Sequence, residues 1–134
     1  MPQELKPCVK FSEKDNALHI LTPSAYAVAM SALTHGLRRA RYSSEISEEI
    51  GDANLKAARD FREENISSHN PELPFVLPAY AAHVIVHGLR GEYVTAGPNI
   101  PPKVRVLHQR VGNQIQASFQ DLQSASGQSD QTML

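Results

Sequence analysis

Tryptophan is absent from this chain, cysteine occurs once, and no apolar run approaches the ~18–20 residues a membrane-spanning helix needs. Each scarcity removes a class of protein. One cysteine, Cys8, cannot close an internal disulfide, so the chain is not a stapled secreted scaffold. Set on a strand, Cys8 reads as a small packed side chain with no chemistry assigned. A surplus of either charge is also lacking, because 13 basic and 14 acidic residues leave a net −1. Such a balance offers no global attraction to nucleic acid or to an anionic membrane surface, and any such binding needs a local patch. The opening Met-Pro-Gln-Glu-Leu-Lys-Pro has neither the basic nor the apolar part of a secretory signal, so a cytoplasmic location without membrane partners is expected. No Gly-x-Ser-x-Gly elbow and no phosphate-cradling glycine loop is present. Catalytic residues are therefore not assigned, a non-enzyme is expected, and no cofactor is implied.

What is present is enough apolar residue, 41% of 134, to build one ordinary core. The expected fold is mainly α (α+β): a two-stranded N-terminal hairpin over 8–21, then about four helices, in a single domain over 1–123. Val9-Lys-Phe11 and Leu18-His-Ile20 alternate on either side of a turn containing Asp15 and Asn16. Two strands alone are marginal in water, so the hairpin must lie on helices or pair with another edge. Thr22-Pro23-Ser24 starts a helix over about 23–41, with Tyr26, Met30, Leu33 and Leu37 on one face. Ser43-Ser44 starts a second, read as one helix over 44–69 with seven acids and three bases between Ser43 and Asn70. Gly51 offers a bend inside it, but a helix ending there is too short for a helix-turn-helix, and that reading is rejected. The proline-rich stretch from Asn70 to Pro78 reads as an extended connector. A third helix is expected over 79–90 and a fourth over 102–123, where Val104, Leu107, Val111, Ile115, Phe119 and Leu122 recur at helical spacing. Residues 124–134 carry little apolar content and are expected to be a disordered tail.

Candidate sites follow from polar residues in unexpected company. The third helix is apolar around nearly its whole circumference except for a strip of Tyr80, His83, His87 and Arg90, spaced three and four apart. A polar strip on a buried helix lines a pocket or a contact, and this one suits a small anion or nucleotide. His83 and His87 at i, i+4 could also direct two imidazoles at one metal ion. No metal is assigned, because Val84 stands where zinc-protease helices carry glutamate and no acid close in sequence completes the set. Arg38, Arg39 and Arg41, extended by Lys103, Arg105 and Arg110 if the two helices are neighbours, form a candidate anion or nucleic-acid patch. Helix-end cations beside an acidic segment explain the triplet equally well, and nucleic acid is not the expected partner. The leading functional expectation is a non-catalytic binding or regulatory protein working through protein contacts or self-association as a homo-oligomer, with Val104, Leu107, Val111 and Ile115 as the interface. His-Gly-Leu-Arg occurs twice, at 35–38 and 87–90, without alignment beyond the tetrapeptide.

Overall fold

The computed structural model describes residues 8–66, 72–96 and 102–132, with five helices and a three-stranded antiparallel sheet. The expected hairpin is there: β1 (Val9–Ser12) pairs with β2 (Ala17–Ile20) in the register Val9↔Ile20. Asn16, at φ 51°, makes the turn, and its N–H donates to the Glu13 carbonyl at 3.3 Å. A third strand, β3 (Phe75–Pro78), pairs antiparallel with β2 inside the stretch read as a connector. Its run of apolar residues is only three long and sits between prolines, so periodicity could not identify it. Pro78 closes the ladder, where a missing N–H costs little. The order β1-β2-β3 gives the second hairpin edge a partner within the chain.

Helix α1 (Pro23–Tyr42) begins where the sequence places it, with Thr22 Oγ1 accepting from the Ala25 N–H at 3.1 Å and Pro23 in the first turn. Ser43 then ends α1 and caps the next helix, its Oγ accepting from Ile46 N–H. The single helix expected over 44–69 is two: α2 (Ser44–Ile50) and α3 (Asp52–Asn65). Gly51 divides them at φ 91°, ψ 146°, a conformation that L side chains rarely adopt. The bend at Gly51 is thus real, and α2 is only about two turns long. Helix α4 (Ala79–Ala96) runs six residues past Arg90, since Gly91 does not stop it. Helix α5 (Pro102–Thr132) has its last buried residue, among those described, at Leu122, and beyond Gln123 it runs out into the tail expected from the sequence. Among the described residues no helix is long and apolar enough to cross a membrane.

Helix α4 lies at the centre, against every other helix and against β2 and β3. Its nearly all-round apolar surface is therefore covered within one chain. The closest packing is with α1, and the repeated tetrapeptide explains it. A Cβ on Gly36 would fall on the Val84 carbonyl, and one on Gly88 would fall on the Ala32 carbonyl, both well inside 3.0 Å. Each glycine thus faces the residue four before the other, so the crossing is reciprocal. Only glycine lets the two backbones approach this far.

The inward face of the sheet carries Val9, Leu18, Ile20 and Leu77, which join Ala25, Leu33, Ile85, Val111, Ile115 and Leu122 in one core. Val111 and Ile115, expected at an interface, are 1% and 0% exposed and belong to that core. Amphipathic periodicity reports an apolar face without saying who covers it. The side chains of Val104 and Leu107 lie outside the described residues. Helix α5 also seals the start of β1: Gln114 Oε1 accepts from Cys8 N–H at 2.7 Å and from Val9 N–H at 3.2 Å. Cys8 is buried there, and burial pushes its thiol pKa up, away from thiolate chemistry.

Candidate metal centre

His83 and His87 project from one face of α4, as their spacing requires, and their ring centroids are 5.4 Å apart. The acid missing from the local sequence arrives from α2. Glu49 Oε2 is in direct hydrogen-bond contact with His87 Nε2 and lies 4.0 Å from His83 Nε2. One nitrogen or oxygen from each of the three residues falls within a 4.8 Å cluster. Gly51 positions this glutamate. Because it ends α2 after seven residues, the short helix can turn its last carboxylate onto α4 instead of continuing in line with α3.

The three residues form one wall of a cavity of about 200 Å³. Arg90, one turn further along α4, lines it as well, and α5 supplies Phe119, Gln116, Gln120 and Gln123. Phe119 stacks on the His83 ring at 5.4 Å and 26°, which fixes the imidazole plane. His87 is buried and the Glu49 side chain is 55% exposed, so the cluster runs from the core to the surface. Burial, then the neighbouring His87, holds the His83 pKa below its ordinary value of 6.5 against the opposing pull of Glu49. A neutral His83 keeps a ring nitrogen lone pair free for a cation at neutral pH. The other side of α4 is anchored: Arg39 Nη1 donates to the His87 carbonyl at 2.6 Å.

Of the strip expected on the third helix, His83, His87 and Arg90 meet in this cavity and Tyr80 does not. Tyr80 instead packs edge-on to Phe61 of α3 at 6.4 Å, within an aromatic group that includes Phe75 and Tyr26. One turn closer to the sheet than His83, it meets α3 rather than α5. Glu49 was not distinguishable in sequence from Glu45 and Glu48, all three being favourable in the first turns of one long helix. The helix stop at Gly51-Asp52 was the available signal, since a break there frees the residue just before it to face another element.

The arginine patch is also regrouped. Arg38 and Arg41 line an open groove with Arg59 and Arg62 of α3. Arg39 turns away to α4, while Lys103 and Arg110 are exposed on α5. The side chain of Arg105 lies outside the described residues. No family model, no curated protein and no solved structure matches this chain.

Proposed function

We propose that this protein binds a divalent transition-metal ion through Glu49, His83 and His87. The observation that carries the reading is the arrival of a carboxylate from a separate helix on an i, i+4 histidine pair. Two imidazoles and one carboxylate are a donor set suited to Zn²⁺ and neighbouring ions, and three protein ligands leave coordination positions for water or a ligand. Metal–ligand bonds of about 2.0–2.2 Å require the three donors to surround an ion rather than touch each other. Glu49, 55% exposed at its side chain, can swing off His87 to admit one. Arg90 at the same cavity suits an anionic group drawn to the bound cation. Binding through protein contacts has less support, because the α5 residues Val111 and Ile115 are covered by the chain itself.

Calorimetric titration of tag-free, chelator-stripped protein with Zn²⁺ and Ni²⁺ tests the reading. One equivalent should bind and raise Tm, and Glu49→Gln and His87→Gln should each lose most of that affinity while remaining folded. Absence of a heat and of a thermal shift at a hundredfold excess of either ion would exclude the site, as would undiminished binding by the Glu49→Gln variant.

A further inference from the structure

The groove between α1 and α3 is built from like charges facing each other. Arg38 and Arg41 come from the last turns of α1, and Arg59 and Arg62 come from α3, around a space of about 870 Å³ that also touches Thr34, Leu37 and Tyr42. Helix α3 belongs to the acidic segment, and a neutralising contact with the α1 arginines would be the expected outcome of that charge pattern. The opposite occurs, because two α3 arginines line the groove together with those of α1. Among the described residues Arg38, Arg41 and Arg59 have no carboxylate within ion-pair distance, and the 3.7 Å pair of Arg62 is with exposed Glu63. Arg62 is also held in place, its Nε donating to Thr34 Oγ1 at 2.8 Å. Four guanidiniums left together raise the local potential well above that of a chain with net −1.

Tyr42 tells what kind of anion fits. It ends α1 beside Arg41, is 80% exposed, and is the most exposed large apolar side chain among the described residues. A presented aromatic ring at the end of an arginine-lined open groove is the arrangement that stacks an unpaired base while cations follow the phosphates. We propose that this groove binds single-stranded nucleic acid, with Arg38, Arg41, Arg59 and Arg62 on successive phosphates and Tyr42 under a base. The site is separate from the Glu49/His83/His87 cavity, and neither proposal depends on the other.

Fluorescence anisotropy with a labelled 12-mer of deoxythymidine, on the full chain, tests it. Four phosphate contacts on a single strand give a log–log salt slope near −2.8, so affinity should fall about 50-fold between 50 and 200 mM salt. Arg38→Gln with Arg59→Gln, two exposed positions that spare the Thr34 bond, should halve that slope and weaken binding at least tenfold. Tyr42→Ala should weaken binding about fivefold or more without altering the slope. Lys10→Gln, which removes an exposed cation on β1 outside the groove, should leave binding unchanged. Circular dichroism melts establish that each variant is folded. The proposal is overturned by no binding at 50 mM salt up to 100 μM protein, the weak end of the ~100 μM to 1 μM scale of non-specific contacts. It is equally overturned by unaltered binding in the double arginine variant, by indifference to Tyr42→Ala, or by a 12-bp duplex or inorganic tripolyphosphate competing as well as the single strand does.

Discussion

Replacing Gly88 by alanine should destabilise this protein even though alanine is the better helix former. In an exposed helix the exchange would gain about 1 kcal/mol. Here the added methyl carbon would overlap the Ala32 carbonyl and come within 2.8 Å of the Gly36 nitrogen. Neither neighbour can rotate away, because both are backbone atoms inside a helix. Helices α1 and α4 must therefore part by roughly an ångström, and gaps of that size forfeit about a quarter to a half of each van der Waals contact along the seam. Overpacking of this kind costs about 1–3 kcal/mol, and the loosened contacts around Leu33, Val84 and Ile85 add to it. The propensity gain offsets part, leaving a net loss of about 2–3 kcal/mol, or roughly 10 °C in Tm for a domain of this size. Urea denaturation followed by circular dichroism measures it. Trimming Ala32 to glycine should not rescue the variant, because the obstacle is the carbonyl and not the Ala32 side chain. Gly36→Ala should cost a similar amount, and the double variant less than the sum, since the first substitution already separates the helices. An unfolding midpoint for Gly88→Ala equal to or above the parent would refute the close crossing.

That crossing does more than hold two helices together. Of the three arginines at the end of α1, Arg39 turns inward to the His87 carbonyl while Arg38 and Arg41 turn outward to the groove. The α1–α4 contact thus has the His83/His87 face of α4 on one side and the arginine groove on the other. A substitution that spreads the helices displaces His87 relative to Glu49, because His87 moves with α4 whereas α2 follows directly from α1 through Ser43. Metal affinity in Gly88→Ala should accordingly fall along with stability, through a residue that touches no ion.

Much of the fold was legible because the signals were local. Thr22-Pro23, the turn at Asp15–Asn16 and the stripe ending in Leu122 act over a few residues, and each produced the element expected from it. What was not legible depended on distant partners. Phe75–Pro78 is a strand because β2 offers it a ladder, not because three apolar residues between prolines announce one. Gly36 and Gly88 were visible only as a repeated tetrapeptide until their backbones were seen to meet. The same division applies to the site. His83, His87 and Arg90 share a face by helical geometry alone, whereas Glu49 joins them across 34 residues of chain through the break at Gly51. For Arg59 and Arg62 the acidic average of their segment concealed the face on which they lie.

Gly51→Ala isolates conformation from space, since nothing lies within 4 Å of the position a Cβ would take but φ is 91°. The variant should lose about 1–2 kcal/mol from left-handed strain alone and should weaken metal binding by moving Glu49, checked by urea denaturation and calorimetry; full stability would mean that the α2–α3 break does not need glycine. The last prediction concerns acid. His83 has a folded pKa below 6.5, set by burial and by the neighbouring His87 and Arg90 against Glu49. In the unfolded chain it takes up a proton near its ordinary value, so between that pH and the lower folded value the unfolded state binds more protons. Stability of the metal-free protein should therefore decline as pH falls below about 6.5, with the loss complete once pH passes the folded pKa. Carboxylates elsewhere also lose stabilising charge in acid, and the contribution of His83 is separated by comparison with His83→Gln, which keeps a polar side chain beside Phe119 but cannot titrate. Between pH 7.5 and 5 the denaturation midpoint of the parent should fall relative to that of His83→Gln. Parallel curves over that interval would mean that His83 is no harder to protonate in the folded chain than in the unfolded one.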